Sequence, residues 1–265
     1  MAEIAVEEER WNDAEEYFLR ALYADPTNAH VNAMYGESLV ARGRVRDALH
    51  YMLEAYRYEP AAYLVNFRVS MAAGMAGDGD LALKHATIFG ELMGDPKHPW
   101  ALSLLADGHL LKGETDRALE ILAEEEADSA DWYLDCFRVR NDPSLAPGVF
   151  EVMRETLEQY LSGTLEGGQY FSLGAQLADC AIQLGKPDIV FDILFAEDMP
   201  GFEGGMPTEV IFITMFITMF APDGGILRKH PRFRELVVET GLLEYWRRWG
   251  WSDYCKPDGD SFSCD

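Results

Sequence analysis

Four cysteines, six histidines and an excess of carboxylates are the residues of this 265-residue chain that could do chemistry. Cys255 and Cys264 flank Lys-Pro-Asp-Gly-Asp-Ser-Phe-Ser, whose Pro-Asp-Gly step turns the chain, so the two sulfurs could meet in a disulfide. Such a bridge would pin a fraying end and would imply an oxidising compartment such as the periplasm; reduced thiols would fit the cytoplasm instead. Cys136 and Cys180 stand among apolar neighbours at helical positions and read as free, buried thiols. His30, His50, His85, His98, His109 and His230 share no spacing, and neither a Cys-x2-Cys nor a His-x3–5-His pair occurs, so a zinc site is not expected. Asp78-Gly-Asp80 and Asp258-Gly-Asp260 read as turns, because a calcium loop needs further alternating ligands and a closing Glu. Gly-x-Ser-x-Gly, His-Glu-x-x-His and phosphate-loop patterns do not occur either. The residues point to a protein that holds something rather than an enzyme, with no cofactor or metal expected.

The formal net charge is −24. Residues 221–265 carry 7 Lys and Arg against 8 Asp and Glu, leaving 15 against 38 for residues 1–220. That acidity repels phosphate backbones, excludes nucleic acid as a partner of this part, and favours a neutral or basic polypeptide. The residues after Met1 lack the basic and apolar stretches of a secretory signal. The longest apolar run, Val210–Ala221, would rise only ~18 Å as a helix, short of a ~30 Å hydrocarbon core. Its Met215/Met219 and Phe212/Phe216/Phe220 spacing predicts a buried element, and no membrane span is expected.

The elements that carry these residues show a period. Ala14, Phe18, Ala21 and Pro26 are followed 34 residues later by Ala48, Met52, Ala55 and Pro60, with Tyr35-Gly36, Leu39 and Gly43 ahead of the second set. Gly43 and Ala48, Gly77 and Ala82, and Gly113 and Ala118 repeat one spacing. Helices that pack closely need small residues at the approach, here Gly36, Ala48 and Ala55, and large ones between, here Tyr35, Leu39 and Met52. Gly43 suits the turn between helices, and Pro26 and Pro60 separate one pair from the next. Tyr170, Leu173-Gly174 and Leu177 predict a later first helix, Gly185-Lys186-Pro187-Asp188 its turn, and Ile189–Phe195 its second helix.

This pattern resembles the tetratricopeptide repeat family over residues 1–130 and, more loosely, over about 145–200. The resemblance implies an all-α fold: a right-handed superhelical solenoid of antiparallel helix pairs with a C-terminal helical cap. Residues 1–130 would hold the repeats, 131–221 degenerate helical repeats, and 222–265 the cap and a loop tail. Only half a first helix precedes Trp11, so the polypeptide is expected to extend upstream. The stretch with His230-Pro231-Arg232-Phe233, Gly241-Leu242-Leu243, Tyr245-Trp246 and Tyr254-Cys255 resembles the module that closes such arrays in bacterial multidomain regulators. There such tails often follow a membrane helix and lie outside the cytoplasm. An aromatic tail with Trp246, Trp249 and Trp251 would cover the open face of the last repeat, and the basic group Arg228, Lys229, His230, Arg232 and Arg234 would pair with the acidic repeats.

The resemblance also implies where a partner would sit. First helices line the concave face, and their outward residues would be His30, Ala33 and Glu37, then Leu64, Phe67 and Met71, then Trp100, Ser103 and Asp107, with Phe171 and Ala175 later. Relatives that clamp a peptide C-terminal carboxylate use Lys, Arg and Asn there; Ala33, Glu37 and Trp100 stand in those places, so that activity is not expected. The expected partner is a peptide or protein segment with apolar anchors and positive charge. A regulatory or sensory segment of a larger signalling protein and a homo-oligomerisation module are the other readings open from the sequence.

Overall fold

A glycine that ends one helix and an amphipathic stretch that follows it, repeated, build most of this molecule. The computed structural model describes residues 1–125, 131–162, 170–194 and 218–265. Among these, helices run α1 Ala2–Glu7, α2 Trp11–Ala24, α3 Ala29–Ala41, α4 Val45–Tyr58, α5 Tyr63–Met75, α6 Gly79–Met93, α7 Pro99–Leu111 and α8 Thr115–Glu125. After α9 Asp131–Arg138 and a 3-10 turn at Pro143–Leu145 come α10 Ala146–Ser162, α11 Tyr170–Gln183 and α12 Pro187–Leu194. The chain closes with a 3-10 turn at Pro222–Gly224, α13 Gly225–Arg228, α14 Pro231–Glu239, α15 Leu242–Trp249 and the strands β1 Cys255–Asp258 and β2 Ser261–Cys264. Two compact units result, Met1–Glu125 with Phe220–Asp265, and Glu126–Met219.

In the first unit α1 packs on α2, α3 on α4, α5 on α6 and α7 on α8, and each pair stacks on the next. The turn inside each pair is a two-bond lock. Gly43 N–H donates to Val40 O and Arg44 N–H to Leu39 O; the same bonds recur at Gly77, Gly113 and, in the second unit, Gly185. All four glycines have left-handed φ between 66° and 79°, the conformation this helix stop requires. Turns this short fold the second helix back along the first. Close approach then needs Gly36, because a Cβ there would stand 2.7 Å from Met52 Cγ and 3.0 Å from Ala48 O. Tyr35, Leu39, Met52, Ala48 and Ala55 are all buried around it. Where no proline closes the unit after α6, left-handed Gly94 stops the helix.

The 34-residue period also governs a polar lock that the apolar pattern hides. Asn32 Nδ2 donates to Pro26 O and Asn28 O; Asn66 Nδ2 donates to Pro60 O and Ala62 O. Each buried amide holds the loop before its helix. Asn66 Oδ1 accepts from His85 Nδ1 at 2.9 Å. Burial, then the Lys84 charge, push His85 down to about 4, so it sits in the core as a neutral donor.

In the second unit α9, α10 and α11 pack on one another and α12 packs on α11. The expected later pair, α11 and α12 around Gly185, is present. The reading of Cys136 and Cys180 as free thiols is corrected, because they are bonded to each other and join α9 to α11. Both are fully buried, so the apolar setting that suggested inert thiols also brings them together. The second bridge, Cys255–Cys264, is the expected one, and it spans an antiparallel hairpin with Cys255 opposite Cys264. This hairpin adds a small sheet to the helical chain, with Pro257 opposite Phe262 and the turn at Gly259. Titrating thiols in denatured, unreduced protein is expected to find none. Replacing each pair by serine is expected to cost about 4 kcal/mol for Cys136–Cys180 and about 3 kcal/mol for Cys255–Cys264 in urea unfolding, because the first closes the longer loop. Free thiols in the titration would remove the bridges.

The apolar run Val210–Ala221, with Phe212, Met215 and Phe216, lies mostly outside the described residues, but Met219 and Phe220 at its end are fully buried. No described helix is long and apolar enough to cross a membrane.

Candidate functional site

The first helices of successive pairs touch, α3 against α5 and α5 against α7, so their outward residues share one side of the first unit. Phe67 on α5 lies 5.6 Å, centroid to centroid, from Trp100 on α7, and 5.5 Å from buried Phe89. His98 packs 5.6 Å from Trp100 and 6.2 Å from Phe89. The α7 start is fixed locally: His98 Nδ1 accepts from Trp100 N–H as the cap, and Pro99 opens the helix. Phe67 and Met71 are half-buried against Ala86, Phe89, Ala101 and Leu104, while Trp100 remains 56% exposed. The structure thus brings Phe67, Met71 and Trp100 into one apolar patch on a packed base.

The polar members fall on either side. His30 is exposed at the start of α3. Glu37 is half-buried and paired with Arg68 at 2.9 Å, which also reaches Met34 Sδ. Its charge is therefore already matched within the chain. Asp107 is exposed at the surface of α7; crowding by nearby protein, and then the Asp223 charge, push it up to about 7. Asp107 stands toward the far end of α7 from Trp100, so the aromatic patch and the carboxyl mark opposite ends of this face. The side chains of Phe171 and Ala175 lie outside the described ones.

The C-terminal segment clasps the first helix pairs, a placement the sequence does not reveal. Trp246 Nε1 donates to Arg42 O at 2.8 Å, Trp11 Nε1 to Thr240 O at 2.7 Å, and Trp249 Nε1 to Asn12 Oδ1 at 2.8 Å. Asp253 N–H donates to Gly43 O, and Tyr254 Oη to Met75 O in the α5–α6 turn. The clasp is made of tryptophan, tyrosine and backbone groups that meet the turns inside the helix pairs.

A buried ionic cluster sits beneath it. Glu15 of α2 is 2% exposed and Arg42 after α3 is 0% exposed. The Glu15 carboxylate accepts from Arg42 Nη1 at 2.7 Å, Tyr35 Oη at 2.5 Å, Tyr245 Oη at 3.0 Å and Arg44 Nη1 at 3.3 Å. Arg42 also stacks on the Tyr245 ring, donates to Ser38 O and contacts Ser38 Oγ. Burial first, then the Glu15 charge, push the Tyr35 hydroxyl up; burial pushes Tyr245 up to about 12. Both phenols therefore stay protonated donors. The cluster reaches the surface only through Arg44 and reads as a latch between repeats and clasp.

Two arginines of the tail's basic group bond within the tail. Arg228 stacks 3.9 Å from the Tyr254 ring and donates to Ala221 O and Asp265 O. Arg234 donates to Phe262 O at 2.9 Å and contacts Ser261 Oγ. These two arginines bond backbone oxygens of the tail itself. Among the described residues no cluster of three or more His, Cys, Asp or Glu is arranged to hold a metal ion. No protein-family model matches the chain, and comparison with curated proteins gives no match.

Proposed function

We propose that the first unit binds a segment of another polypeptide on the face lined by α3, α5 and α7, as a scaffold and not as an enzyme. The observation that carries this reading is Trp100, a large aromatic side chain left more than half exposed while Phe67 and His98 fix its ring against a packed base. Rigid aromatic anchors of this kind dominate recognition surfaces. The regular 34-residue locks and turn bonds support kinship with tetratricopeptide arrays and a right-handed superhelical course for the pairs. Two disulfides support an oxidising compartment, periplasmic or extracellular.

Trp100→Ala and Phe67→Ala are each expected to weaken capture of a partner from the native cell by about tenfold, the scale of one lost anchor. The helical circular dichroism of Trp100→Ala should stay unchanged, because its ring is mostly in solvent. Capture that survives both substitutions would remove this face as the binding site.

A further inference from the structure

The stacked pairs have two edges. One carries the turns inside each pair, at Gly43 and Gly77, and the clasp meets it through Asp253 and Tyr254. The other carries the loops between pairs, 25–28, 59–62 and 94–98, where second helices end and first helices begin. Tyr23, Tyr58, Tyr63 and Leu92 lie at that second edge, with Leu64 and Trp100 at its border with the α3/α5/α7 face, and all are exposed, Tyr23 to 93%. A third of the large apolar side chains exposed among the described residues thus gather on the edge itself. A soluble surface scatters such residues singly; a row of them marks a contact.

Charge says what the contact takes. The loops and adjoining helix ends hold Asp25, Glu54, Glu59, Glu91 and Asp95 against Arg20, Arg57 and Lys97. Arg57 is paired with Glu54 at 3.6 Å and Lys97 with Glu124 at 2.8 Å. Asp25 and Asp95 are occupied in holding their own loops, through Thr27 and Lys97 backbone N–H groups. Glu59 and Glu91 are exposed and have no partner among the described residues. They stand between the apolar side chains of neighbouring loops, which leaves an edge of alternating apolar and negative character.

We propose that this edge is a second docking surface, bordering the α3/α5/α7 face at Leu64 and Trp100, for an extended basic segment of a partner protein in which Lys or Arg alternates with aromatic or aliphatic anchors. Neighbouring first helices pack about 10 Å apart, so three successive loops span about 20 Å, which an extended strand crosses in about six residues. The apolar anchors of the segment meet Tyr58, Tyr63 and Leu92, and its cations meet Glu59 and Glu91.

The test is fluorescence anisotropy with the full chain and a short labelled peptide alternating Lys with Leu and Phe, beside a counterpart with Glu for Lys. The basic peptide should bind about tenfold more tightly than the acidic one, and Tyr58→Ser with Leu92→Ser should weaken it by about tenfold, while Met71→Ala on the other face changes it by less than about twofold. Both serine sites are solvent-exposed, and circular dichroism confirms that the fold is kept. No binding of the basic peptide, equal binding of the acidic one, or binding that ignores the edge substitutions overturns the proposal. Loss with Met71→Ala alone moves the peptide to the α3/α5/α7 face, which upholds the first reading and sinks this one. A concentration-dependent dimer that the edge substitutions dissolve assigns the edge to a second copy and also overturns it.

Discussion

Glu15→Ala is expected to destabilise the first unit by about 3–5 kcal/mol, the largest effect of any single carboxylate among the described residues. Arg42 has no exposure, and Glu15 is its carboxylate partner. Removing that partner strands a guanidinium in the core, along with the hydroxyls of Tyr35 and Tyr245 that donate to the same group. Ser38 O and the Tyr245 ring remain for Arg42, but neither carries a countercharge. Glu16, one residue on, is a ready control. It pairs with Arg248 where both side chains are about half exposed, so Glu16→Ala should cost at most about 1 kcal/mol. A double replacement by apolar residues, Glu15→Leu with Arg42→Met, should recover much of the loss, since a buried pair is worth little against well-packed hydrocarbon. Urea unfolding reads all three. A Glu15→Ala loss no larger than that of Glu16→Ala would mean that Glu15 and Arg42 are not closed from water as described.

The second large effect is at Gly43. Its φ of 73° favours glycine, and an added Cβ would stand 2.6 Å from the Phe220 ring and from Ser252 Oγ. Gly77 has nearly the same backbone, φ 79°, with nothing within 4 Å of such a Cβ. The two therefore separate backbone strain from crowding. Gly77→Ala should cost about 1 kcal/mol, for strain alone, and Gly43→Ala about 3 kcal/mol, as overpacking adds to it. The extra loss should come with release of the clasp, seen as a shift of Trp246 fluorescence and faster proteolysis after Phe220. Equal costs at the two glycines would place Phe220 away from the α3–α4 turn.

The repeats were legible because their determinants are local. A left-handed glycine, an Ala at a fixed distance and a proline between pairs each act within a few residues, and the structure realises each where the period predicts. Phe67 and Trp100 followed from the same register. Asn32 and Asn66 were missed although they share the 34-residue spacing, because apolar periodicity passes over a polar residue on a core face. Glu15 was hidden among 46 acidic residues. One signal did mark it: it shares a helix face with Trp11 and Phe18, where a charge needs a buried partner. The placement of the clasp could not be read, since it rests on pairings such as Trp11 with Thr240, 229 residues apart. Nor could the Cys136–Cys180 bond, because four cysteines allow three connectivities and only the fold chooses. The open edge was overlooked because its residues belong to different helices and become neighbours only after the pairs stack.

Because the unit that contains Trp11 and Arg42 is completed by residues 220–265, it cannot finish during synthesis until those residues have left the ribosome. At about 5–20 residues per second, the early helices wait several seconds or more with Glu15 and Arg42 still lacking Tyr245 above them. A polypeptide released before Tyr245 would never seal that latch, so quality-control proteases would meet such a truncated product in an open form.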